Sequence, residues 1–320
     1  MKAKSMQFAA WAAAVVLLAA MPTFADSQNQ QGQGQAVVTV LPAKNAPAAP
    51  VSQQNLAVKV NGKDSSVTRW RQYGPDSPVE MVVLIDSSAR SSLGTQLAGI
   101  SRFIDGLPAN VSATVAYMEN GRAVLTGPLS VNHAQVASTL RVTGNVPGIS
   151  ASPYFCLSDL ARHWPSSNTR ARREVVMVTD GVDYYDSVRR YDPEDPYVQA
   201  AVTDAVRAQI MVYTIYWRNA GFVDRSLMAQ NTGQNLLIQV SAATGGNSYW
   251  LGYGDPVNLQ PYLDDITRRL YNQYEVSFMA PSSGKPQVAS FRLKLTAPGT
   301  RIDAPEQVLV MGSETAGGEQ

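Results

Sequence analysis

Two acidic residues stand where a carboxylate can meet a ligand: Asp86 in Leu84-Ile85-Asp86-Ser87-Ser88-Ala89-Arg90, and Asp180 in Val178-Thr179-Asp180-Gly181. Each follows a continuous apolar run of strand length, Met81 to Ile85 and Val175 to Val178, which predicts a buried strand with the acid at its carboxyl end. In open α/β sheets such strand ends converge on the crevice where ligands bind. Two carboxylates there need a cation or a donor-rich partner, because a desolvated negative charge is costly unless compensated. The loop Gly148 to Pro153 adds Ser150 and Ser152 just ahead of a helix. Hydroxyls beside carboxylates suit a hard ion such as Mg²⁺, with Mn²⁺ or Ca²⁺ as alternatives.

The elements that must position these residues follow from periodicity. Leu93, Leu97, Ile100, Ile104 and Leu107 recur at helical spacing before Pro108, so the first buried strand leads into a helix. Val111 to Met118 and Ala123 to Leu125 flank Asn120-Gly121 and predict a hairpin, since Asn-Gly supplies the positive φ values of a tight turn. Helices are expected over Tyr154 to Trp164, Tyr197 to Gln209, Leu236 to Ala243 and Leu259 to Asn272. Ile210 to Tyr216 is expected to be buried strand, and Ser248 to Leu251 a short one. Strands alternating with helices predict an α/β fold with a doubly wound, mostly parallel central sheet. Leu56, Val58 and Val60, and later Phe291, Leu293 and Leu295, alternate with polar or small neighbours. With Tyr274 to Met279 and Glu306 to Val310 they predict accessory antiparallel strands from both ends of the chain.

With these residues in this order, the chain resembles the von Willebrand factor type A family, specifically its bacterial exported members with a β-rich addition. The resemblance covers roughly Leu56 to Met311. It rests on Val82-Val83-Leu84-Ile85-Asp86-Ser87-Ser88, Val175 to Gly181, Val212-Tyr213-Thr214-Ile215-Tyr216, Gly245-Gly246 and Gln273 to Phe278. It implies a protein-binding or adhesion module whose metal-ion-dependent adhesion site uses Asp86, Ser88 and Asp180, with Ser152 in place of the family's Thr. The last position of the first motif is Arg90, which donates only and cannot coordinate a cation. A guanidinium about 5 Å from a doubly charged ion would repel it by several kcal/mol at an effective dielectric of about 20. The degenerate site therefore has two expected states: a cation with Arg90 turned away, or no cation and Arg90 bridged to Asp86 or Asp180. The first suits a partner bound through its own acidic side chain, the second a metal-independent structural or assembly component. Tyr184, Tyr185 and Asp186, in the acidic and aromatic stretch Asp183 to Asp195, join Arg90 as the expected partner-binding residues.

Other chemistry is less well supplied. Asp159 and His163 stand four apart on one predicted helix, but no Gly-x-Ser-x-Gly elbow accompanies them, so a hydrolase is disfavoured. No Gly-x-Gly-x-x-Gly follows the first buried strand. His133 is expected as a surface or cap residue. The single Cys156 sits among Phe155, Leu157 and Leu160 and is expected to be a buried thiol rather than a nucleophile.

Length and composition set the frame. The chain has 320 residues, 45% hydrophobic and 16% charged, enough for one substantial core. Residues 1–25 carry Lys2 and Lys4, an apolar run from Phe8 to Met21, and small residues near Ala25, as in a cleaved signal peptide. The run falls short of the roughly 20 residues needed to span a bilayer, so export to the periplasm or medium, with no integral span afterwards, is expected. Losing those two lysines takes the net charge from +1 to −1, which argues against nucleic acid as a partner. Residues 26–54 are rich in Gln, Asn, Ala, Gly and Pro and predict a disordered linker, and 313–320 a disordered tail. The expected globular unit is 55–312, with its β extension in about 274–312 plus 55–73.

Overall fold

The computed structural model describes residues 30–43, 50–143, 152–186, 191–220, 226–252 and 254–312. The expected signal peptide and tail, Ser150, and parts of the loops 183–195 and 218–230 lie outside the described residues. In chain order come β1 (Gln31–Pro42), β2 (Leu56–Val60), β3 (Lys63–Gln72), β4 (Val79–Asp86), α1 (Leu97–Asp105), β5 (Val111–Glu119), β6 (Arg122–Leu125) and α2 (His133–Ala137). There follow α3 (Pro153–Arg162), β7 (Arg172–Thr179), α4 (Pro196–Arg207), β8 (Ile210–Tyr216), α5 (Leu227–Thr244), β9 (Ser248–Tyr249) and α6 (Gln260–Leu270). The chain finishes with β10 (Gln273–Pro281), β11 (Gln287–Leu295), β12 (Thr300–Asp303) and β13 (Gln307–Met311).

Strands β6-β5-β4-β7-β8-β9 form a mixed sheet in that order. All pairings are parallel except β5 with β6, the predicted hairpin, where Asn120 and Gly121 take φ of 50° and 74°. Every residue of β4 and β8 is buried, because alternate side chains enter two separate cores. Val83, Ile85, Val176, Val178 and Ile215 pack with Ile100 and Ile104 of α1, Val136 of α2 and Ile266 of α6. Val82, Leu84, Val175, Met177 and Val212 pack with Leu157 of α3, Val202 of α4 and Val240 of α5. Apolar cover on both faces explains why these strands read as unbroken hydrophobic runs. The architecture is α/β.

The remaining strands correct the sequence reading twice. They do not form an open accessory layer: β1, β10, β3, β2, β11 and β13 pair in turn and close on themselves as an antiparallel barrel, with β12 also on β1. Closure leaves fewer unpaired edges than an open layer would. And the closing strand comes from the predicted disordered linker. Gln31, Gln33 and Gln35 face out while Gly32, Gly34 and Ala36 are buried, a period-two pattern whose inward positions are small because the interior has no room. A Cβ on Gly34 would lie 2.4 Å from the Phe278 ring. The ordered unit thus begins before residue 55. Helix α5 is likewise longer than the expected Leu236 to Ala243, starting at Leu227.

The barrel docks against the amino-terminal end of the sheet. Gln273, which opens β10, donates to Glu174 Oε1 at 2.8 Å and accepts from Arg172, and Arg269 of α6 bonds Asp303 at 2.9 Å. Burial pushes the Glu174 carboxyl up to about 7, against the opposing pull of Arg172 and Gln273. The carboxyl ends of the strands lie at the far end of the sheet, roughly 25 Å away for strands of this length.

Candidate binding crevice at the carboxyl ends of the strands

The parallel register places Ile85 opposite Val178, so the next residues, Asp86 and Thr179, lie side by side where β4 and β7 end. Thr179 Oγ1 donates to Asp86 Oδ2 at 2.7 Å. The other oxygen, Oδ1, accepts from the Ser88 amide at 2.9 Å and the Ser88 hydroxyl at 2.5 Å. The predicted bridge from Arg90 to Asp86 is therefore replaced by hydroxyl and amide donors. A short Asp side chain readily caps the amide two residues on, and the motif repeats: Val182 N donates to Asp180 Oδ1 at 3.0 Å, and Tyr185 N to Asp183 Oδ1 at 2.8 Å.

Arg90 has another role. Its Nε donates to Asn219 O at 3.0 Å, its amide donates to Arg218 O at 3.0 Å, and the Ala220 amide donates to Ser88 O at 2.8 Å. Asn219 Nδ2 also donates to Ser88 Oγ. The loops after β4 and β8 are thus zipped to each other. Since β7 lies between those strands, the zipper bridges its carboxyl end. Asp255 steadies one side of it, accepting from the Arg218 amide at 2.9 Å and Ser92 Oγ at 3.1 Å.

Behind the zipper is a second buried acidic group. Ser152 and Asp195 cap α3 and α4 through Phe155 N and Tyr197 N, each followed by a proline that fits the first helical turn. These two helix starts meet Asp183, whose Oδ2 accepts from Ser152 Oγ at 3.2 Å. So Ser152 faces Asp183, not the Asp86 and Ser88 pair it was expected to join. Burial pushes the Asp183 carboxyl up to about 6, and the nearby Asp195 adds to the rise.

Of the expected partner-binding residues, Tyr184 is half-buried and donates to Asp180 Oδ2 at 2.7 Å, which makes it part of the acidic cluster. Tyr185 is 45% exposed and packs edge-on against Phe155 and Tyr197 at 4.9 and 5.5 Å. Asp186 beside it is partly exposed. Sequence reasoning missed Thr179, Asn219 and the inward role of Asp183. Thr179 alone carried a signal, as the polar end of an apolar strand. Elsewhere, His163 is exposed and meets Asp159 Oδ1 at 3.1 Å, His133 bonds Val111 O at 2.8 Å, and burial pushes the Cys156 thiol well up.

For a cation, the donor chemistry fits only in part. Asp86, Ser88 and Asp180 offer hard oxygens, but Ser152 is turned to Asp183 and position 90 supplies a donor. Among the described residues no group of three or more His, Cys, Asp or Glu side chains is placed to hold a metal. These residues do not make a cation shell on their own.

The chain matches no protein-family model and no curated protein. Among solved structures it is similar to an aerotolerance-related membrane protein from Bacteroides fragilis, at 14% identity and a TM-score of 0.43, over 60% of this chain and 98% of that one. BatB from Bacteroides thetaiotaomicron is similar at 14% identity and a TM-score of 0.42, over 60% and 97%. Manganese-loaded TRAP protein from Plasmodium vivax gives 13% identity and 0.41, over 76% and 98%. Likenesses this partial carry no argument about function, and the α/β assignment rests on this chain's own strand order and helix placement.

Proposed function

We propose that the chain is an exported, non-enzymatic protein-binding module of the von Willebrand factor A type, with a doubly wound sheet that presents its partner surface at the strand ends around Arg90, Tyr185 and Asp186. The observation that carries this reading is the buried cluster of Asp86, Ser88, Thr179 and Asp180 at the ends of two adjacent parallel strands. Buried carboxylates are costly to keep, and here they brace loops that hold exposed aromatic and acidic groups at the ligand-binding end of the sheet. Binding is read as metal-independent, because hydroxyls and amides already donate to both Asp86 and Asp180.

A photo-reactive residue at position 185 should cross-link a discrete partner in the native compartment, with the same yield in chelator and in Mg²⁺. Adducts that vanish in chelator and return with Mg²⁺ would favour the cation-completed alternative. Adducts arising only from a residue on the barrel, such as position 59, would defeat the crevice reading. Export itself rests on residues 1–25, and amino-terminal sequencing should find the mature chain starting near Asp26. Recovery of uncleaved chain alone would refute it. Among the described residues no helix is long and apolar enough to cross a membrane.

A further inference from the structure

At the opposite end of the sheet, where the barrel meets it, a groove of about 800 Å³ opens between β3, α6 and the loop before β5. Its walls include Tyr73, Val79, Pro108, Leu270 and Tyr271, and Arg172 lines it among them. The volume is in the usual range for small-molecule sites, which are mostly apolar with a few fixed polar groups.

Arg172 is the polar group that stands out. It is more than nine-tenths buried, yet its hydrogen bonds leave from Nη1 alone, to Leu270 O at 3.4 Å and to Gln273 Oε1. Its Nε is buried with no acceptor. Glu174 would be the natural counter-ion, but Gln273 stands between them, accepting from Arg172 and donating to Glu174. The guanidinium thus has only neutral hydrogen-bond acceptors, and Glu174 acts on its charge through space without a direct hydrogen bond, which leaves donor capacity free for a second carboxylate. Burial correspondingly lowers its proton affinity. The guanidinium carbon lies over the Tyr73 ring, 4.5 Å from its centroid. On the rim, Tyr271 is 59% exposed. Asp76, also on the rim, is exposed and so screened by water.

We propose that this groove binds a small organic carboxylate, its charged end on Arg172 and its apolar body between Tyr73, Pro108 and Tyr271. A carboxylate matches the planar guanidinium in charge and geometry, and the apolar walls favour an acid carrying a ring or short chain over a bare inorganic anion. The site is separate from the crevice, so occupancy would act on the seam between barrel and sheet.

Calorimetric titration of the full chain with benzoate tests this, with benzamide and acetate as probes that keep only the ring or only the charge. Benzoate should bind with a saturable heat, and each of the other two at least about tenfold more weakly, a difference of about 1.4 kcal/mol. Arg172→Gln should abolish the benzoate signal. Because that variant removes a seam residue and could unfold, Tyr271→Ser is the second: it should weaken benzoate several-fold at an unchanged melting temperature. Equal binding of benzoate and benzamide, equal binding of acetate, an unchanged affinity in Tyr271→Ser, or no heat from benzoate would each overturn the proposal.

Discussion

Removing Gln31–Pro42 is expected to destabilise the whole chain by on the order of 5 kcal/mol and to make it self-associate. Val38, Val40 and Leu41 are buried in this strand, and burying each such side chain is worth about 1.5–3 kcal/mol. The strand pairs with β10 from Gln31 opposite Pro281 to Thr39 opposite Gln273, and with β12 and β13 on its other side. Its loss opens the barrel and leaves β10 and β13 with unpaired main-chain groups, a template for edge-to-edge association. A loss of this size is a large share of the roughly 5–15 kcal/mol that a domain has to spare. Denaturant midpoints and sedimentation of the truncated and full chains would measure both effects. An unchanged midpoint would return residues 31–42 to the role of a tether.

The second large effect concerns one methyl group. Gly233→Ala in α5 is expected to cost about 3 kcal/mol or more, whereas Gly99→Ala in α1 should stabilise by about 0.5–1 kcal/mol. Both glycines are inside helices, where alanine is intrinsically preferred. They differ in what a Cβ would meet. At Gly99 the nearest atom is 3.9 Å away, but at Gly233 the Asp180 carbonyl oxygen stands at 2.3 Å. Gly181, at φ +71°, is equally tight, its own Cβ position lying 2.5 Å from Gly233 O. Helix α5 therefore packs backbone to backbone on the Asp180-Gly181 turn, and a methyl at 233 must push that turn away from Asp86. Urea melts of the two variants decide this. Opposite signs, with the larger effect at Gly233, support the packing, while a stabilised Gly233→Ala would mean that the helix and the turn are not in contact.

Much of the α/β half is legible in the amino-acid order alone. Val82 to Ile85 and Val175 to Val178 are apolar without interruption because each strand is covered on both faces, and a pattern set by burial can be read back as burial. The Asn120-Gly121 hairpin is legible because its turn demands φ values that few residue types adopt cheaply. The positions of Asp86 and Asp180 at strand ends follow from the same runs. The barrel strand β1 was hidden for the opposite reason: the inward positions of its first half are Gly32, Gly34 and Ala36, with the Phe278 ring packed against Gly34, so that half has the composition of a flexible segment, and the short apolar run Val37 to Leu41 that completes the strand stands inside a Gln-, Gly- and Pro-rich stretch. The partners of the acidic residues could not be read either. Ser152 faces Asp183 because helices α3 and α4 happen to start beside each other, and Arg90 reaches Asn219 because the loops after β4 and β8 meet across β7. Those contacts join residues 31 and 129 positions apart, and hydrogen bonds between such distant segments leave no periodicity in the chain. Local order determined which residues would be buried and where strands would end. Tertiary packing decided which donor each carboxylate would find.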